Sequence, residues 1–112
     1  MAVLNKEYSI SELDRTFNIY ERISGSDPLS KSQKTEQVYL RALLYKILID
    51  FHCINTRQVA DYFSYKGKVI NRVSVLHAVR KINIYYKNFY DFRYVYNIYF
   101  DDKLEEFKEI EE

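Results

Sequence analysis

Glycine, proline and cysteine are scarce in this sequence, and tryptophan is missing: its 112 residues include two Gly, one Pro and one Cys. Two isolated glycines, Gly25 and Gly67, cannot form the glycine-rich loops that bind nucleotide phosphates, so nucleotide hydrolysis and dinucleotide chemistry are not expected. One cysteine and two histidines also provide no motif for a metal centre and no disulfide framework. The sequence therefore predicts no nucleotide, no metal and no other cofactor.

Long apolar runs and targeting signals are missing as well. No stretch approaches the roughly 18 apolar residues that a membrane-spanning helix needs, and Met1–Ile10 lacks the basic flank and apolar run of a signal peptide. A chain of 112 residues with 47% hydrophobic and 29% charged residues has the size and composition of one globular domain. We therefore expect a single domain, residues 1–112, in a reducing cytoplasm and with no membrane partner.

The formal net charge of +1 hides a strongly basic middle segment. Residues 31–82 contain ten Lys or Arg and three Asp or Glu, whereas residues 1–30 and 83–112 each have an acidic excess. A basic segment of this kind is what neutralisation of nucleic-acid phosphates requires, although many solvated surfaces have a similar excess.

Two helices are predicted in the first half of the chain. A capping box at Ser9–Glu12 and apolar residues at helical spacing predict a helix from about Ile10 to Arg22, which the segment Ser24–Pro28 then ends. A long second helix is predicted from a core stripe that recurs at helical spacing. The residues of this stripe are Leu40, Leu44, Ile47, Leu48 and Phe51. Cys53, just beyond it, is expected to be a small buried residue.

A short helix, a turn and a further helix follow, which is the layout of a helix-turn-helix. Asn55 and Gln58 form a second cap-like pair, and Asn71 caps the next helix. The residues predicted to face inward are Val59, Tyr62, Phe63, Val75, Leu76, Val79 and Ile82. The residues predicted to face outward on the last helix are Val73, Ser74, His77, Arg80 and Lys81.

Nine aromatic residues lie between Tyr85 and Phe100. Their spacing fits both a strand and a helix, and we favour a helix because a lone strand would have no partner in an otherwise helical chain. Core packing or a protein-binding surface is the expected role of these rings. Stacking on unpaired bases is the alternative, which the acidic neighbourhood disfavours. Residues 101–112 are expected to form a charged helical tail.

A family resemblance is carried by the segment from Asn71 to Ile82, whose sequence is NRVSVLHAVRKI. It resembles the signature DHTTVLHAxRKI of the DNA-binding domain at the C-terminus of the bacterial replication initiator DnaA, with seven identical positions. Upstream, Asp27–Lys31 resembles that domain's DLLSK, and Arg41 falls at the arginine of its second long helix. The resemblance covers about residues 10–84.

The resemblance implies an all-α, compact helical bundle like the DnaA C-terminal domain and the Trp repressor. It places a helix-turn-helix at about residues 55–84, with a Tyr-rich and acidic extension at residues 85–112. It also implies that the second helix of this motif enters the major groove of duplex DNA. The loop between Phe63 and Asn71 is about four residues longer than in the family, and the initiator's ATPase domain has no counterpart, so origin opening by this chain alone is not expected.

Two sets of DNA contacts are predicted from this layout. The base contacts are Asn71, Arg72, Val73 and Ser74, of which the first three replace the family's Asp, His and Thr. The backbone contacts are Arg41, Arg57, Lys66, Lys68, Arg80 and Lys81. Because the replaced positions differ in charge and hydrogen-bonding groups, the initiator's own target sequence is not assumed.

Each of these residues also has an ordinary structural interpretation. Asn71 is either a helix cap or a reader of adenine, and Arg72 either forks onto guanine or contacts phosphate. Val73 either contacts a thymine methyl group or is an exposed valine, and Ser74 is a DNA contact or solvated. The lysines and the remaining arginines are phosphate contacts or plain surface charges. His77 matches the family, and as a lone histidine it is more often structural than catalytic.

Two hypotheses follow. The first is a stand-alone, sequence-selective protein that binds double-stranded DNA in replication initiation or its regulation, encoded by a phage or mobile element or by its bacterial host, and located in the cytoplasm with the nucleoid. The second is a helical interaction or structural protein that has lost DNA binding and uses its Tyr-rich surface on a protein partner. An enzyme is not expected, because the residues present assemble no catalytic constellation.

Overall fold

Six helices make up most of residues 10–100, the part of the chain that this computed structural model describes. They are α1 (Ile10–Ser24), α2 (Thr35–His52), α3 (Thr56–Tyr65), α4 (Arg72–Arg80), α5 (Ile82–Asn88) and α6 (Tyr90–Phe100). Within these residues there is no β-strand, so the prediction of an all-α bundle is confirmed. The tail predicted at 101–112, and Ser9 of the first capping box, lie outside the described residues.

The bundle is built around α2, which contacts each of the other five helices. Its buried residues are Tyr39, Leu40, Ala42, Leu43, Leu44, Tyr45, Ile47 and Leu48. A helix that is apolar on several sides is stable only when other elements surround it. The stripe predicted from periodicity was therefore too narrow, because α2 buries more than one face.

Two residues near the end of α2 contradict the sequence prediction. Phe51, predicted in the core stripe, is 51% exposed; it lies in the last turn of α2, where the rings of Tyr99 and Phe100 on α6 meet it edge to face. Cys53, predicted to be buried, is exposed. It follows the helix in the left-handed conformation, with φ of 55°, and the buried position falls to the next residue, Ile54.

The helix predicted from Asn71 to Ile82 is two helices, since the chain leaves helical geometry at Lys81 and α5 begins at Ile82. A second break at Phe89 separates α5 from α6, which pack on each other. Helical structure between residues 84 and 100 is confirmed, whereas neither break carries a Gly or Pro that would mark it in the sequence.

Aromatic rings attach α5 and α6 to α2. Tyr39 of α2 stacks on Phe89, with 4.4 Å between ring centroids, and meets Phe92 edge to face. The Tyr39 hydroxyl donates to the carboxylate of Asp91 on α6. Burial, together with this hydrogen bond, raises the pKa of Tyr39. Part of the Tyr-rich segment is thus core, as predicted, and Asp91 within it accepts the hydroxyl of a buried tyrosine of α2.

Candidate nucleic-acid interface

A capping box fixes the start of α3. The Gln58 backbone N–H donates to Asn55 Oδ1, and the Asn55 backbone N–H donates to Gln58 Oε1, both at 2.9 Å. This arrangement satisfies two N–H groups that a helix end otherwise leaves open. The inward positions Val59, Tyr62 and Phe63 are fully buried, as predicted. Arg57 therefore lies on the outer side of α3, where it is exposed.

The turn after α3 depends on Gly67. The Lys68 N–H donates to the Phe63 carbonyl and the Gly67 N–H to the Ser64 carbonyl, which together form a Schellman motif. Gly67 has φ of +104°, a conformation that a side chain would strain. The turn directs the chain from the end of α3 toward Asn71.

Asn71 caps α4, as predicted. Its backbone is extended, with φ of −108° and ψ of 162°, and its Oδ1 accepts the Ser74 N–H at 2.9 Å. The structure therefore shows Asn71 as a helix cap, and the contact of Asn71 with adenine stays a prediction. The cap also fixes the direction in which the first turn of α4 leaves the loop.

The outward side of α4 is exposed along its length and is called the reading face here. Its members are Arg72, Val73, Ser74, Leu76, His77 and Arg80. Val75 on the opposite side is fully buried and Val79 half-buried, whereas Leu76, predicted to face inward, lies at the exposed margin. The apolar side chain of Val73 is 49% exposed among polar neighbours. Leu76 is rotated about 100° around the helix from the buried Val75, which leaves it outside the core.

Three predicted contacts meet in one cleft between α3 and the start of α4. This inter-helix cleft, of about 460 Å³, is lined by Arg57, Ala60, Asp61, Ile70, Asn71 and Arg72. The sequence did not single out Asp61 or predict a cleft. Two exposed guanidinium groups at the entrance to the reading face give the cleft the charge that a phosphate or a guanine edge prefers.

Arg41 and Lys68 meet at a different place, the carbonyl of Ser30. The Ser30 oxygen accepts from Arg41 Nη2 at 3.0 Å and from Lys68 Nζ at 2.9 Å, and Arg41 Nη2 also donates to the Ser32 carbonyl at 3.0 Å. These bonds attach the loop before α2 both to α2 and to the turn after α3. Both side chains therefore have a structural role that the sequence did not reveal.

The surroundings of Lys68 are strongly positive. Partial burial, followed by the nearby charges of Arg41 and Lys31, lowers the pKa of Lys68, and Asp27 opposes this effect. A second cleft, of about 440 Å³, lies beside it and is called the loop cleft here. Its lining is Lys31, Gln33, Gly67, Lys68 and Val69. The segment 67–72 lines both clefts, so the two lie side by side.

The other predicted backbone contacts are dispersed. Lys66 lies against α1, with Nζ 3.4 Å from Asp14 Oδ1 and 4.9 Å from the centroid of the Phe17 ring. It lines neither of the two clefts. Arg80 and Lys81 are exposed at the far end of α4, about two turns from Arg72. The structure thus groups Arg57 with the predicted base contacts and leaves Lys66 apart from them.

Another exposed surface belongs to α6. Tyr90, Tyr94 and Ile98 recur every four residues on one side of this helix and are 76%, 59% and 47% exposed. They form the aromatic face. The nine aromatic residues predicted to be core or protein-binding surface are therefore divided between the core and the exposed surface, and protein binding stays a prediction.

Within residues 10–100, no helix is long and apolar enough to cross a bilayer. The same residues contain no group of three or more His, Cys, Asp or Glu side chains placed to hold a metal ion. No protein-family model, curated protein or solved structure matches the chain. The clefts and the two exposed faces are therefore the features from which a function is inferred.

Proposed function

We propose that this protein binds double-stranded DNA and selects its site by inserting α4 into the major groove. The observation that carries the proposal is the reading face, where Arg72, Val73 and Ser74 are exposed in the first turn of a helix whose opposite side is buried. The N-terminal residues of a recognition helix are the ones that contact base edges in the helix-turn-helix layout, and α3 and α4 pack together in that order.

The chemistry of the first turn suits base edges. The guanidinium of Arg72 can fork onto O6 and N7 of guanine, and Val73 offers an apolar surface to a thymine methyl group. The Ser74 hydroxyl donates or accepts, and Asn71 retains its amide N–H groups for adenine N7 while its oxygen caps the helix. Sequence selection in this proposal comes from these four residues.

Backbone contacts hold the helix in register. Arg57 lies beside Arg72 in the inter-helix cleft, and Lys68 adds a second positive site in the loop cleft. Lys68 and Arg41 keep donors beyond those bonded to Ser30, because an ammonium has three N–H groups and a guanidinium five. The proposed setting is replication initiation or its regulation, as a binding protein rather than an enzyme.

Fluorescence anisotropy with a labelled duplex of random sequence tests the proposal. With Lys66 set apart, the five remaining backbone contacts predict that affinity falls by about 10²- to 10³-fold between about 50 and 200 mM salt. Selection from a randomised duplex pool then identifies the preferred site. Absence of duplex binding even at the lower salt concentration contradicts the proposal.

A second candidate function is supported by the aromatic face. Tyrosine is enriched at protein interfaces, and Tyr90 and Tyr94 are largely exposed on a helix that already has its inward side packed. This candidate is an interaction or structural protein that does not bind DNA. It is favoured over the first if the duplex experiment shows no binding, and if replacing Tyr90 and Tyr94 by Ser leaves the fold intact but removes self-association or partner capture.

A further inference from the structure

The inter-helix cleft contains one acidic side chain, Asp61 of α3, and it is the one acidic residue between Thr56 and Arg80. Its Oδ2 atom is buried and has no hydrogen-bond partner among the described residues. A buried carboxylate oxygen without a donor costs more free energy than a neutral group in the same position. Neither helix capping nor core packing explains an acidic residue here.

Donors are nevertheless close at hand. Arg57 precedes Asp61 by four residues on α3, a spacing that puts their Cβ atoms about 5–6 Å apart. Arg72, the first residue of α4, lines the same cleft from the other side. Both arginines are exposed, so their guanidinium groups are free of core packing and can turn toward the carboxylate.

We infer that Asp61 is a positioning residue for Arg72, and that its carboxylate orients the Arg72 guanidinium toward a guanine when duplex DNA occupies the cleft. This inference rests on the proposed function. A guanidinium has five N–H groups, and the fork onto guanine O6 and N7 takes two, so others remain for Asp61. A guanidinium held on one side by a carboxylate presents its opposite edge in a fixed plane, which bidentate recognition requires.

The same carboxylate weakens contacts between the cleft and DNA phosphates, whereas it strengthens the contact of Arg72 with guanine. A negative charge in the cleft repels the DNA backbone and so weakens binding that depends on phosphates alone. Asp61 then raises selectivity from two directions, by strengthening the guanine contact and by weakening sequence-independent contact. These two effects give the residue a signature that a merely structural carboxylate does not have.

The test is the Asp61→Asn variant, which keeps the shape of the side chain and removes its charge. Affinity is measured for the selected duplex and for a random duplex, each by anisotropy at one salt concentration. We expect affinity for the selected duplex to fall and affinity for the random duplex to stay equal or rise, so that their ratio drops about tenfold or more. Asp50→Asn, which removes the partner of Lys46 on α2, is the matched control and leaves the ratio unchanged.

A double-mutant cycle identifies the arginine through which Asp61 acts. In an Arg72→Ala background, Asp61→Asn is expected to cause no further fall in affinity for the selected duplex, because the contact that Asp61 supports is already lost. A further fall there assigns the carboxylate to Arg57 and overturns the inference, as does an unchanged ratio in the single variant. Thermal melting verifies that each variant folds, and Asp61→Ser replaces Asp61→Asn if the latter does not.

The failure of this inference is distinguishable from failure of the proposed function. Wild-type protein that binds no duplex at low salt contradicts both. Wild-type protein that selects a sequence, with an Asp61→Asn variant of equal selectivity, contradicts the role of Asp61 alone.

Discussion

At the scale of single residues, His52 links the last turn of α2 to α1. Its Nε2 lies 2.7 Å from Thr16 Oγ1, and burial lowers the pKa of His52 below its ordinary value of 6.5, with Glu12 opposing the shift. The unfolded chain then takes up a proton at higher pH than the folded one. The contribution of neutral His52 to stability is full above pH 6.5 and is lost as the pH falls through the lowered pKa.

We therefore expect the melting temperature to fall between about pH 7 and pH 5, and His52→Gln to make this decline shallower. Circular dichroism melts at both pH values measure the difference. His77→Gln, at an exposed position of α4, is the control for removal of a histidine. An equal decline in the His52→Gln protein contradicts the assignment to His52.

Arg72 is the residue on which base selection most depends in the proposal. Arg72→Ala is expected to weaken binding to the selected duplex by about 1 to 3 kcal/mol and to relax the choice of base at one position. Anisotropy against single-base variants of the selected duplex measures both effects. Arg22→Ala is the control: Arg22 is exposed in the last turn of α1, and its replacement removes one positive charge outside both clefts. Equal loss on every sequence assigns Arg72 to phosphate instead.

At the scale of elements, the caps of α3 and α4 are a natural pair for comparison. Asn55 and Asn71 each accept a backbone N–H at 2.9 Å from three residues on, so replacing either by Ala is expected to cost about 1 kcal/mol of folding free energy. Only Asn71 adjoins the reading face. Asn71→Ala is therefore expected to weaken binding to the selected duplex, whereas Asn55→Ala leaves it unchanged once folding is complete.

Urea unfolding gives the stability of each variant, and anisotropy on fully folded protein gives its affinity. Matched losses of stability with equal affinities indicate that Asn71 is a cap and nothing more.

Local signals predicted the elements better than they predicted their ends. The caps at Asn55 and Asn71 and the inward positions of α3 follow from hydrogen bonding and periodicity within a few residues, and the structure has them as predicted. The breaks at Lys81 and Phe89 have no such local signal. They arise where α5 and α6 turn to pack their rings on α2, and a single stretch of sequence does not record that packing.

In the candidate site too, features with a local sequence signal were predicted and features that depend on long-range contacts were not. Exposure of Val73 and Ser74 follows from the period of α4 and was predicted, whereas Arg72 was proposed as a DNA contact because it opens the helix. The bonds of Arg41 and Lys68 to Ser30 join residues 11 and 38 positions apart, and no local pattern indicates them. Asp61 had one available signal, because it is the single acidic residue among the basic ones of α3 and α4.

At the scale of the whole molecule, α2 supports two exposed surfaces of different chemistry. α3 and α4 pack on it and present the basic clefts and the reading face, while α5 and α6 attach to it through aromatic rings and present the aromatic face. The charge along the chain follows the same division of the surface, because residues 31–82 have an excess of Lys and Arg and residues 83–112 have an excess of Asp and Glu. In the proposed function, one part of this surface binds a polyanion and the other stays available to a protein.

The salt dependence of DNA binding reports on this basic surface as a whole. Arg80 and Lys81 are exposed at the end of α4, and unlike Arg41 and Lys68 they do not donate to the Ser30 carbonyl, so replacing them by Ala changes charge without releasing that loop. If both contact phosphates, each replacement makes the negative slope of log affinity against log salt shallower by about 1 and weakens binding to all sequences alike. Lys87 is exposed on α5 beyond the basic segment. Lys87→Ala also removes one positive charge and is expected to leave the slope unchanged. A slope that becomes equally shallower in all three variants shows that the duplex responds to net charge alone, in which case α4 does not lie in the groove along its whole length.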